Sequence, residues 1–153
     1  MGYIHDVETA IVDRLIAEIP NIHKVAPLTQ DSDWKKATQI QPALAIFFER
    51  AEDDVLAVSA GRGRIALNSA IQPRQLHFVI FSITKSMRTK ASRDELEAYE
   101  LLDNVREALM GWRPITGAYP IQLGEVRLVE VSCGIAVYLT QVITTVCTPE
   151  PKA

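Results

Sequence analysis

Ser92–Pro114 reads SRDELEAYELLDNVREALMGWRP, and its pattern decides how the rest of the chain must be arranged. Ser92 and Glu95 have the spacing of a capping box, in which each side chain satisfies a free backbone N–H of the other residue. Leu96, Tyr99, Leu102, Val105 and Leu109 recur at intervals of three and four, which places them on one face of a helix. Gly111 supplies a left-handed closing residue. Trp112 stands where an apolar group folds back on the last turn, and Pro114 blocks continuation. The segment is one docked helix in a chain that otherwise reads mostly as strands.

On its N-terminal side lies the strongest strand pattern, Leu76 to Thr84. His77, Val79, Phe81 and Ile83 alternate with Leu76, Phe78 and Ile80, so both faces are mostly apolar. A strand of that kind is central and covered on both sides. Before it, Val55–Ser59 and Arg64–Ser69 read as a hairpin across Ala60–Gly61–Arg62–Gly63. Ala43–Glu49, behind Pro42, reads as a buried strand, and the polar stretch Thr29–Gln41 as a loop. Ile22–Ala26 is a short extended piece. The first element is a helix from Asp6 to Ile19, with Ile4, Val7, Ile11, Leu15 and Ile19 as its apolar stripe and Pro20 as its stop. On the C-terminal side, Val126–Val131 and Ile135–Val146 are two strands joined at Ser132–Cys133–Gly134. Residues 148–153, TPEPKA, read as a flexible tail.

This order predicts an α+β fold: a single domain over residues 1–153, with two main helices packed on a mostly antiparallel β-sheet. Two helices cannot cover so many strands. A half-covered sheet must manage its edges, and self-assembly is one way to do so.

Sixteen basic against nineteen acidic residues give a net charge of −3, which argues against bulk nucleic-acid binding. No run of about eighteen apolar residues predicts a transmembrane helix. The N-terminal stretch has neither a signal-peptide cleavage pattern nor a myristoylation pattern, which points to cytoplasmic synthesis. Cys133 and Cys147 have no CxxC spacing and read as reduced, semi-buried strand residues.

The motifs of chemistry are weak. Gly61–Ala66, GRGRIA, has the G-x-G-x-x-A form, but Asn68, Ser69 and Pro73 interrupt the helix that a dinucleotide loop needs. His5, His23 and His77 are far apart in sequence, and His77 reads as a structural histidine in a strand. Asp31/Asp33 and Asp53/Asp54 lack the spaced oxygens of a calcium loop. Neither a nucleophile elbow nor a paired Cys–His signature is present, so the reading is of a non-enzyme without cofactor or metal.

One charge feature stands out. Lys85, Arg88, Lys90 and Arg93 fall within nine residues with no acid among them, and Arg62, Arg64 and Arg74 add basic groups in nearby connections. The run reads either as a solvated loop entering the helix or as an electrostatic contact with an acidic partner or with passing DNA. Against the first reading, positive charge near a helix N-terminus opposes the macrodipole. Trp112 and Arg113 likewise serve either helix closure or an interface hot spot.

The N-terminal helix ETAIVDRL, the helix ending LLDNVREALMGWRP, a glycine-containing loop and closing strands with Tyr138 together resemble the Gp37-type family of Mu-like phages and prophages. That resemblance implies a tail-terminator-like structural protein of the virion tail, assembled in the bacterial cytoplasm. It implies a homo-oligomeric ring, expected to be a hexamer, that caps the tail tube and ends its polymerisation. The implied partners are the tube protein or sheath and a neck or head-completion protein, with DNA passing close by and no membrane. The candidate interaction residues are Arg62, Arg64, Lys85, Arg88, Lys90, Trp112 and Arg113. Two other readings stay open: a different neck or head–tail connector subunit, and a small-molecule-binding α+β domain.

Overall fold

A computed structural model describes residues 3–19, 22, 24–27, 43–53, 72–85, 91–132 and 134–148. The elements are α1 (Tyr3–Glu18), β1 (Lys24–Pro27), β2 (Ala43–Asp53), β3 (Gln72–Lys85), α2 (Ala91–Leu109), β4 (Gln122–Ser132) and β5 (Ile135–Thr148). The strands form one sheet in the order β1-β2-β3-β5-β4. β2, β3, β5 and β4 pair antiparallel, and β1 joins β2 in parallel. This is the expected α+β architecture, with β3 at the centre of the sheet.

The strands are longer than their apolar cores suggest, because ladder pairing carries polar residues along. β3 starts at Gln72, not Leu76, and includes Pro73. A proline has no N–H for a ladder. Pro73 is tolerated because the pairing with β2 ends at Arg74, opposite Asp53, so Pro73 has only β5 beside it in the ladder. Thr148, read as the start of the tail, is the last residue of β5 and pairs with Gln72. β4 and β5 meet at Gly134, whose φ of 77° is the left-handed conformation that glycine adopts without penalty.

Both helices lie on one face of the sheet. α1 packs over β1 and β2, α2 packs over β3, and the helices touch each other. Val7, Ile11, Leu15 and Ile19 are buried as their spacing predicts. They meet Leu44 and Ile46 of β2, Leu76, Phe78 and Ile80 of β3, and Val142 and Val146 of β5. Phe78 is fully buried, and its ring stands edge-on to Phe48 at 5.4 Å between centroids. A smaller cluster of Ala43, Ala45, Ile83 and Val137 occupies the opposite face. Both faces of β3 are therefore buried, as its alternation predicts.

α2 is rotated relative to its predicted stripe. Its buried residues are Ala98, Leu101, Val105, Ala108 and Leu109, whereas Tyr99 is 49% exposed and Leu102 is half-buried. The reason is size. Ala98 and Ala108 allow close approach to neighbouring elements, and a tyrosine ring on that line would hold them apart. α2 opens at Ala91, so Ser92 stands inside the first turn and not in front of it. The side chains of the capping box and of Leu96 lie outside the described residues, as do the loop at Thr29–Gln41, the hairpin at residues 55–69, Cys133, the Cys147 side chain and residues 149–153.

Candidate interaction surface

The end of α2 is closed from several directions. Met110 donates its N–H to the Arg106 carbonyl, and Trp112 donates to the Leu109 carbonyl. Gly111, with φ 79°, donates to the Ile121 carbonyl, and Ile121 returns a bond to Trp112. The exit turn is thereby tied to the start of β4. Trp112 is half-buried and packs against the main core. The Arg14 guanidinium sits over its ring at 5.2 Å, and Arg14 Nε donates to the Ala108 carbonyl at 2.9 Å. Arg14 thus supplies a cation to the negative end of α2 and clamps the two helices together. Of the two readings of Trp112, this environment favours helix closure.

Of the other sequence-derived candidates, few fall among the described residues. Arg62, Arg64, Arg88 and Lys90 lie outside the described residues. Lys85 ends β3 ahead of α2, while Trp112 and Arg113 follow α2, a helix about 28 Å long at 1.5 Å per residue. Arg113 is exposed. Arg74 is not in a connection near the basic run but inside β3. Eleven residues of strand put it roughly 37 Å from Lys85. Its Nη1 donates to the Tyr3 hydroxyl at 2.8 Å, and its guanidinium lies over the Tyr3 ring at 6.0 Å. Arg74 pins the start of α1 to the sheet.

An open apolar surface among the described residues lies on β4, where the sequence analysis placed no candidate. A helix about 10 Å across covers roughly two strands spaced about 4.8 Å apart. α1 and α2 therefore cover four strands of five. On the helix side of β5, Ala136, Thr140, Val142, Thr144 and Val146 are buried and Tyr138 is half-buried, whereas on β4 Leu123 is half-buried and the residues after it are exposed. Val126, Leu128 and Val131 pair with Thr140, Tyr138 and Ala136, so they belong to the helix-bearing face. Each is nearly half exposed, Leu128 at 49%.

Between α2 and β4 runs an open groove of about 310 Å³, lined by Tyr99, Leu102, Asp103, Arg106, Leu123, Val126 and Thr140. Its floor holds Thr140, which is 3% exposed and whose Oγ1 has no hydrogen-bond partner among the described residues. A buried hydroxyl left unpaired costs stability. Thr140→Val keeps the shape and removes that cost, so it is expected to raise stability by about 1 kcal/mol in urea unfolding. A loss of stability would show that the hydroxyl is bonded.

The edge of β4 is built against casual strand addition. Two register shifts interrupt its ladder with β5, at Leu123/Val126 and Leu128/Glu130. Bulges and charges on an edge both discourage further pairing. At the first shift the Glu125 N–H is satisfied by Gln141 Oε1 at 3.3 Å. Gly124 makes room for that side chain, because a Cβ there would run into Gln141. On the same face Arg127 Nε pairs with Glu125 Oε1 at 3.4 Å, both well exposed.

On β2, Arg50 pairs with Glu52 at 3.1 Å and with Glu49 at 3.9 Å, all three exposed. His77 is buried with Nε2 3.6 Å from Glu52 Oε1, and neither ring nitrogen has a hydrogen-bond partner there. Burial lifts the Glu8 carboxyl above the usual range, and the nearby His5 acts in the opposite direction. Among the described residues no three His, Cys, Asp or Glu side chains are grouped to hold a metal. No helix among them is long and apolar enough to cross a membrane. The fold and this surface define an α+β domain whose sheet is left open along one lane. No family model matches the chain, and no curated protein matches it.

Proposed function

We propose that this chain is a structural interaction protein of a phage tail, a tail terminator or tail-completion subunit that assembles into a ring on the tail tube. The observation that carries the reading is the open lane on β4, where Val126, Leu128 and Val131 stay exposed on a strand that the two described helices leave uncovered. A row of apolar side chains at the edge of a core is the mark of a surface completed by another molecule. The resemblance of the two helices and the G-W-x-P exit to the Gp37-type family supplies the particular assembly. A ring of identical subunits needs two different complementary surfaces per copy, and a sheet with unlike edges offers them. In this reading Lys85, Arg88 and Lys90 face the tube or its lumen.

Light scattering over a range of concentrations, with negative-stain images, tests the ring directly. Six-subunit rings, in solution or after addition of tail tubes, are the expected result. A dimer at every concentration overturns the reading. Changing Lys85, Arg88 and Lys90 together to Glu is expected to leave thermal unfolding unchanged and to yield tails of uncontrolled length. Tails of normal length would remove the basic run from the contact. A neck or connector subunit would form similar rings but bind a different tube end. The small-molecule reading has the α2–β4 groove to offer, but that groove is open and its lining is mostly apolar.

A further inference from the structure

We propose that the α2–β4 lane is the seat of a basic amphipathic helix from a partner protein, which completes the helix layer of this sheet. The proposal rests on the interaction-protein reading above and names the occupant of its open surface.

The shape of the lane selects a helix over a strand. The edge of β4 carries two bulges and the charges Glu125, Arg127 and Glu130, which oppose strand pairing. The face of β4 carries Val126, Leu128 and Val131, and at Leu123 and Val126 it is walled on one side by Tyr99 and Leu102 of α2. From Leu123 to Val131 this floor runs roughly 25 Å along the strand. That is the length of about 17 helical residues. A helix laid there occupies the place of a third helix beside α2, with its apolar stripe on the row of β4.

Charge selects the sign of the partner. Glu100, Asp103 and Glu107 recur at intervals of three and four, so they form one exposed row along the solvent side of the α2 wall. None of the three has an ion pair among the described residues, and Arg106 of the same helix lines the groove beside Asp103. A helix with lysines or arginines flanking its apolar stripe would neutralise that row on docking. The unpartnered Thr140 hydroxyl on the groove floor is a second sign that the lane is incomplete as it stands.

The probes are two synthetic 18-residue amphipathic helices, one of Leu and Lys and one with Glu in place of every Lys. Their binding to the full chain is read by fluorescence anisotropy. The Leu/Lys peptide is expected to bind at least about tenfold more tightly than the Leu/Glu peptide. Leu128→Asp is expected to weaken it by about tenfold or more, since burying one leucine is worth at least that much. Asp103→Lys lies on the exposed wall and should reduce the preference for Leu/Lys without disturbing the core. Thermal melts check that both variants fold. Equal binding of the two peptides, or full binding by both folded variants, overturns the proposal. Light scattering of Leu128→Asp separates it from the ring reading. A wild-type ring that Leu128→Asp dissolves would mean that a second copy fills the lane, which overturns the proposal while supporting the ring. A ring that survives in a variant unable to bind peptide supports both.

Discussion

Phe78→Ala is expected to lower unfolding stability by about 4 kcal/mol, the upper part of the range for deleting a buried aromatic ring. Phe78 is fully buried in the central strand, and its ring stands edge-on to Phe48. Alanine removes the apolar area and leaves a space between the sheet and the helices. Leu76, Ile80 and Val142 lie on the same face around it and are held by strand ladders on both sides, so they cannot collapse into that space. For a chain of this length the loss corresponds to roughly 8–16 °C in Tm. Urea unfolding followed by circular dichroism measures it. A cost under about 1 kcal/mol would mean that the core repacks freely and that the packing described above is wrong.

Trp112→Ala carries the second large effect, about 2 kcal/mol, smaller because the indole is only half-buried. Part of that loss belongs to its contact with Arg14, whose guanidinium lies over the ring at 5.2 Å. A double-mutant cycle with Arg14→Ala isolates the pair, because the hydrogen bond from Arg14 to the Ala108 carbonyl is lost equally on both sides of the cycle. The coupling is expected at about 0.5–1 kcal/mol, the range of an exposed to partly desolvated cation–π contact. Any loss of the proposed ring assembly in Trp112→Ala should then follow the unfolded fraction. A variant that is fully folded yet fails to assemble would move Trp112 to the subunit interface. Zero coupling would remove Arg14 from the account of how the helices are clamped.

These two residues also mark how far local reading reaches. Phe78 was legible as core because strict alternation over a long apolar run has one physical outcome, a strand covered on both faces. Trp112 was legible as a helix exit, but its partner lies in α1, nearly a hundred residues earlier, and no local pattern points there. The rotation of α2 shows the same boundary. Counting apolar residues favoured the line through Tyr99, whereas packing chose the line through Ala98 and Ala108. Small residues hardly register as hydrophobic, yet they set how closely two elements approach. One basic residue shows the same limit. Arg74 is close to Lys85 in sequence, but an extended strand carries it to the far end of β3, where Tyr3 holds it. The surface on β4 had a signal that went unread: Val126 and Leu128 alternate with Glu125 and Arg127, the pattern of a strand half in contact with water.

The sequence by itself determined the two helices, the main strands, the centrality of β3 and the α+β class, because each follows from periodicity and turn chemistry within a few residues. Tertiary structure alone decided the parallel seat of β1, the face on which both helices lie, the Arg14–Trp112 clamp and the exposure of β4. Those features depend on contacts between residues distant in the chain. They also depend on a count that no segment contains: among the described elements two helices face five strands, and the uncovered lane falls where the sheet ends.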